Sequence, residues 1–79
     1  MKYRIEMQPL AGRFVVALKD SQTGNLVKVF TVNASAAEMI QLYRDGLNIE
    51  DIARIISEKY DVPTSRVRTD AEVLLKKLD

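Results

Sequence analysis

At Asn33 the spacing of apolar residues changes, and that change limits the fold more than any other feature of the chain. Upstream the period is two. In "KYRIEM", Tyr3, Ile5 and Met7 alternate with Lys2, Arg4 and Glu6, the pattern of a half-buried strand. Pro9 and Gly12 punctuate the next stretch. "RFVVALK" then sets Phe14, Val16 and Leu18 against Val15 and Ala17, "DSQTGN" reads as a hairpin loop, and "LVKVFTV" closes the series. Downstream the period is helical. Asn33 can cap a helix whose stripe is Ala36, Met39, Ile40 and Tyr43, and Gly46 stops it. Asn48 caps the next, with Ile49, Ile52, Ala53 and Ile56 on its apolar side. Pro63 disfavours helical geometry at Val62 and so breaks the chain. The last helix starts near Thr64 or Ser65 and carries Val67, Ala71, Leu74, Leu75 and Leu78. Strands are thus expected over 2–8, 13–19 and 26–32, and helices over 34–45, 49–60 and 64–78. This is an α+β, winged-helix-like arrangement: a three-stranded antiparallel meander followed by three helices. A chain of 79 residues has material for one core, so residues 1–79 are expected to form a single domain.

The third strand is unusual. Leu26, Phe30 and Val32 are expected on one side and Val27 and Val29 on the other, so both sides are largely apolar. A half-buried strand normally wets one face. In a meander the first and third strands are also edges, and edges are usually disguised with charge. Lys28 is the only charged residue within "LVKVFTV". Val15 and Ala17 adjoin Val27 and Val29, and this face can be covered by a partner, by a second copy of the chain in a homodimer, or by nothing. An extended peptide can also join the edge, drawing affinity from main-chain hydrogen bonds and selectivity from side pockets. The last helix has its own irregularity. At about 100° per residue its core stripe leaves Val73 to one side, on a flank with Arg66, Asp70 and Lys77. A stray surface valine is common; the other reading of Val73 is one wall of a groove.

The chain has no Cys and no His. That removes disulfides, thiol nucleophiles and thiolate metal sites, and with them the residue best suited to proton transfer near neutral pH. The carboxylates are scattered over helix surfaces and caps. No catalytic residue, metal or cofactor is therefore expected. A net charge of +1 gives no strong field toward DNA or an anionic membrane. No apolar run reaches the roughly 20 residues that span a bilayer. "MKYRIEMQPL" alternates where a signal peptide has an apolar block, so a cytoplasmic location is expected. The alternative function is a small winged-helix DNA-binding transcriptional regulator, with the last helix in the major groove and Arg66 and Arg68 near its start. Asp61, Asp70 and Glu72 lie beside those arginines and count against phosphate contact.

A set of ordered features runs from residue 31 to 78. Asn33 follows a strand, then come Ala36 and Ala37, Ile40 and Leu42, and an Asp45–Gly46 stop. Ile52 and Ala53 lie in the second helix, Tyr60, Asp61 and Val62 at its end, and Val67, Asp70, Leu74, Leu75 and Leu78 in the third. In these the chain resembles the PqqD-like family, the D protein of pyrroloquinoline quinone biosynthesis and the recognition elements of ribosomally made, modified peptides. Pro63 stands where that family usually has a capping Ser or Asp. The resemblance implies three strands followed by three helices and a domain that performs no chemistry itself. It implies a peptide chaperone: the leader of a precursor peptide adds beside the third strand, against the last helix. The leader is thereby presented to a modifying enzyme, often a radical S-adenosylmethionine protein. The peptide-binding residues expected here are Val27, Lys28, Val29, Phe30, Thr31 and Val32 on the strand and Arg66, Asp70, Val73 and Lys77 on the helix.

Overall fold

The computed structural model describes residues 2–78. Its elements are β1 (Tyr3–Leu10), β2 (Arg13–Asp20), β3 (Leu26–Val32), α1 (Ala34–Arg44), α2 (Ile49–Tyr60) and α3 (Thr64–Lys76). The strands form one antiparallel sheet in the order β1-β2-β3. The meander followed by three helices, read from the change of period at Asn33, is the architecture adopted.

β1 is longer than expected. Instead of stopping at residue 8 it continues through Pro9, opposite Phe14, to Leu10. Proline is tolerated there because β1 is an edge strand, where a missing donor can face away from the ladder. The turn then needs only Ala11 and Gly12, at φ 51° and 79°. Two consecutive positive-φ residues suit the right-handed twist of the flanking strands. The β2–β3 loop is organised by Asp20, whose carboxylate accepts the amides of Gln22 at 2.8 Å and Thr23 at 2.9 Å. The Thr23 amide, then that of Gln22, holds this carboxyl below its ordinary value.

β3 departs from the expected alternation. Leu18 faces Lys28 but Lys19 faces Leu26, so Val27 is one residue extra on β3. Because side chains alternate with a period of two, a bulge moves every residue beyond it to the opposite face. Leu26, expected beside Phe30 and Val32, lies instead with Val15, Ala17 and Val29 on the outer face and is 59% exposed.

The helices bury the other face. Ile5, Val16, Leu18 and Val32 from the sheet join residues of the helical half in one core, among them Ile40, Ile52, Ile56 and Ala71 on the helices and Leu78 just beyond α3. On α1 the buried alanine is Ala37; Ala36 and Tyr43, expected on the stripe, are only partly buried. α3 ends at Lys76, short of the expected 78, yet Leu78 is fully buried. Each of the first two helices is closed at both ends. Asn33 Oδ1 accepts the Ala36 amide at 2.9 Å and Asn48 Oδ1 that of Asp51 at 2.9 Å. At the end of α1, Gly46 takes φ 94°, its amide bonds Tyr43 O at 3.0 Å, and the Leu47 amide bonds Leu42 O at 3.1 Å. These are the paired bonds of a Schellman stop. α2 stops in a similar way with an L-residue in the left-handed region, Asp61 at φ 53°. α3 has Pro63 at its cap position and no side-chain cap.

Candidate functional site

No residue intervenes between β3 and the cap of α1, so Asn33 turns the chain at the very end of the sheet. This junction places the start of α1 beside the middle of α3. Between them lies a hollow of about 310 Å³, lined by Val32, Asn33, Ala36, Asp70, Val73, Leu74 and Lys77, with Arg13 at the start of β2. Val73 is 58% exposed and outside the core. The Lys77 ammonium sits 5.5 Å from the centre of the Phe30 ring, tying the end of α3 to β3. β3 is an edge strand, so its outward backbone groups make no ladder bonds within the sheet among the described residues.

A second hollow, of about 500 Å³, continues from the first and shares Asn33 and Asp70 with it. Its floor is apolar, with Met39, Ile56, Val62 and Val67, and Arg66 and Tyr60 line its rim. Tyr60 is held by a clasp between α1 and α2. Glu38 Oε1 accepts from Lys59 Nζ and from the Tyr60 hydroxyl, both at 2.8 Å. The Lys59 bond, then the Tyr60 bond, lowers the Glu38 carboxyl below its ordinary value. The same contacts raise Lys59 and Tyr60, each through its hydrogen bond to Glu38 first.

The expected site residues are divided among three places. Asp70, Val73, Lys77 and Val32 share the first hollow, and Arg66 joins Asp70 in the second. Phe30 is partly buried on the core side of β3, beneath Lys77. Val29 lines a hollow of about 300 Å³ on the outer sheet face, and Thr31 lies on that same face by alternation, opposite Val15. Val27 is the extra residue of the bulge, and Lys28 is exposed opposite Leu18. Sequence reading missed Arg13, Asn33, Ala36 and Leu74 as lining residues. Arg13 had a findable signal: once Phe14 pairs with Val32, Arg13 falls beside Asn33.

The helix-turn-helix alternative loses one of its cations here. Arg68 bonds Glu72 at 3.2 Å and also pairs with Glu50, and those contacts, Glu72 first, raise its pKa. No group of three or more carboxylates that could hold a metal ion occurs among the described residues. Among the described residues no helix is long and apolar enough to cross a membrane.

Comparison with known proteins bears on the fold and the family. The chain matches no curated protein. Among solved structures it is similar to TbiB1 in complex with the TbiA(beta) leader peptide, with a TM-score of 0.68 and 24% identity over 99% of this chain and 87% of that one. It is also similar to lasso peptide synthetase B1 complexed with the leader peptide, with a TM-score of 0.69 and 22% identity over 99% of this chain and 91% of that one. At these identities the likeness establishes the shared fold. The family model for coenzyme PQQ synthesis protein D matches residues 12–79, most of the chain, and the protein therefore belongs to the PqqD family.

Proposed function

We propose that this protein is a non-catalytic cytoplasmic adaptor that binds the leader of a ribosomally made precursor peptide as an added strand on β3 and presents it to a modifying enzyme. That enzyme is of the radical S-adenosylmethionine class or another peptide-modifying class. The observation that carries the reading is the open edge of β3 running beside a hollow whose wall includes an exposed valine. An edge strand supplies main-chain hydrogen bonds to any sequence, at about 1 kcal/mol net each, and the α3 wall supplies selection. Family membership supports it, as do the two similar structures, each of which holds a leader peptide.

Amide hydrogen exchange tests the binding mode. The ligand is a synthetic leader peptide of a ribosomally made precursor. On saturation the outward amides of β3 are expected to exchange at least about tenfold more slowly, while those on the outer edge of β1 do not change. Protection of β1 with none on β3 would refute strand addition at this edge.

A further inference from the structure

α3 presents to the groove a stripe of four residues, Arg66, Asp70, Val73 and Lys77, and β3 runs alongside it in the opposite sense. Lys77 lies over Phe30, Val73 shares a hollow with Val32, and Asp70 lies with Asn33. At a helix rise of about 1.5 Å per residue, Val73, Asp70 and Arg66 lie roughly 6, 10.5 and 16.5 Å along the groove from Lys77. A strand added to β3 turns every second side chain toward α3, at a spacing of about 6.8 Å. Its groove-facing positions therefore fall at roughly 0 and 6.8 Å beside Phe30 and Val32, and a third falls at roughly 13.6 Å, where the extended peptide runs on past the end of β3 over the start of α1. The first meets Lys77, the second meets Val73, and the third falls midway between Asp70 and Arg66.

The chemistry of the three positions differs. Lys77 and Arg13 line one hollow, and neither forms an ion pair with a carboxylate among the described residues. Among the described residues Asp70 is the one carboxylate lining that hollow, and it lies two helical turns from Lys77. Val73 offers an apolar surface. Asp70 and Arg66 also lack ion-pair partners among the described residues, so the third position faces an acceptor and a donor together. Resting on the strand-addition reading above, we infer that the groove selects an extended peptide with a spaced triplet. From the Lys77 end the triplet is Asp or Glu, any residue, Leu, Ile or Val, any residue, then Asn or Gln. The carboxylate binds Lys77 and Arg13, the aliphatic side chain covers Val73, and the carboxamide bridges Asp70 and Arg66, donating to one and accepting from the other.

Selection from a random twelve-residue displayed peptide library on the immobilised full chain tests this without knowledge of the natural ligand. Enriched peptides are expected to carry the triplet. A synthetic peptide of the enriched sequence, followed by fluorescence anisotropy, should lose about tenfold in affinity when its acidic residue becomes Lys. Lys77→Glu in the protein should weaken the parent peptide about tenfold and restore most of the loss for the Lys-bearing peptide. Lys76→Glu makes the same charge change on the neighbouring residue and should alter binding less than twofold. Circular dichroism melts confirm that both variants fold, and Lys77→Gln, which adds no charge at the helix end, should show an intermediate loss. Enriched peptides that protect β3 amides but show no acidic preference, or a preference indifferent to Lys77→Glu, overturn the triplet and leave strand addition standing. A library that yields no binder overturns both.

Discussion

Replacing Val73 separates a groove wall from a stray surface valine, and the structure sets the size of the effect. Complete burial of a valine side chain is worth about 1.5–2 kcal/mol. Val73 is already partly shielded and remains 58% exposed, so a peptide lying over it can recover about 1 kcal/mol. Val73→Ala should therefore weaken leader binding by about fivefold. Val73→Glu removes the same contact and sets a carboxylate under the peptide, one turn from Asp70, adding about 1–2 kcal/mol of desolvation and repulsion. The new carboxylate also lies four residues before Lys77, but a pair formed there exists in the free protein as well as in the complex and returns nothing to binding. The net loss is about 2–3 kcal/mol, roughly thirty- to hundredfold in Kd. Glu72→Ala is the control. Glu72 lies on the flank of α3 that pairs with Arg68 at 3.2 Å, an exposed contact that adds little to stability and nothing to the groove. Isothermal titration of the leader peptide against the three variants makes the comparison, with urea melts to show that Val73→Glu stays within about 0.5 kcal/mol of the parent. If Val73→Glu binds as tightly as the parent, or Glu72→Ala loses more than Val73→Ala, the peptide does not cross this part of α3.

Three further outcomes concern the frame that holds the groove. Gly46→Ala should cost about 1–2 kcal/mol in a urea melt, because φ 94° is strained for any L-residue, although the added Cβ would meet no atom within 4 Å. Ala11→Asn should raise stability by about 0.5–1 kcal/mol in the same assay, since Ala11 occupies φ 51° beside Gly12 and Asn-Gly is the preferred pair for such a turn. The Asp20 and Glu38 carboxyls are both lowered in the folded state, so the stability they contribute is complete above their unfolded pKa values, about 4, and drains as pH falls through the folded values beneath. Asp20→Asn, which keeps an oxygen acceptor, should flatten part of the fall in melting temperature measured between pH 5 and about pH 2.

What was legible in the sequence was what neighbours along the chain decide. The change of period at Asn33, the caps at Asn33 and Asn48 and the stop at Gly46 are settled within a few residues, and each is found where the pattern put it. Val73 was also legible, because the angle between residues on one helix needs no knowledge of the rest of the fold. The bulge at Val27 was not. It depends on how two strands share the five loop residues from Ser21 to Asn25, and that choice sent Leu26 to the outer face. The opposite wall of the groove was hidden for a similar reason: Ala36 and Asn33 face Val73 only because α3 crosses back over the β3–α1 junction. The outer sheet face and the groove therefore differ in kind. Leu26 is exposed by a shift of register and Val29 by plain alternation, and they surround no charge pattern beyond Glu6 and Lys19, which pair with each other at 3.2 Å. Among the described residues, Arg66, Asp70 and Lys77 in the groove stay outside the ion pairs that join Arg68 and Glu72 on the other flank of α3 to each other and to Glu50 of α2. On the strand-addition proposal, the flank of α3 whose charges are left open is the one that faces the unpaired strand edge, and it is there that a peptide is read.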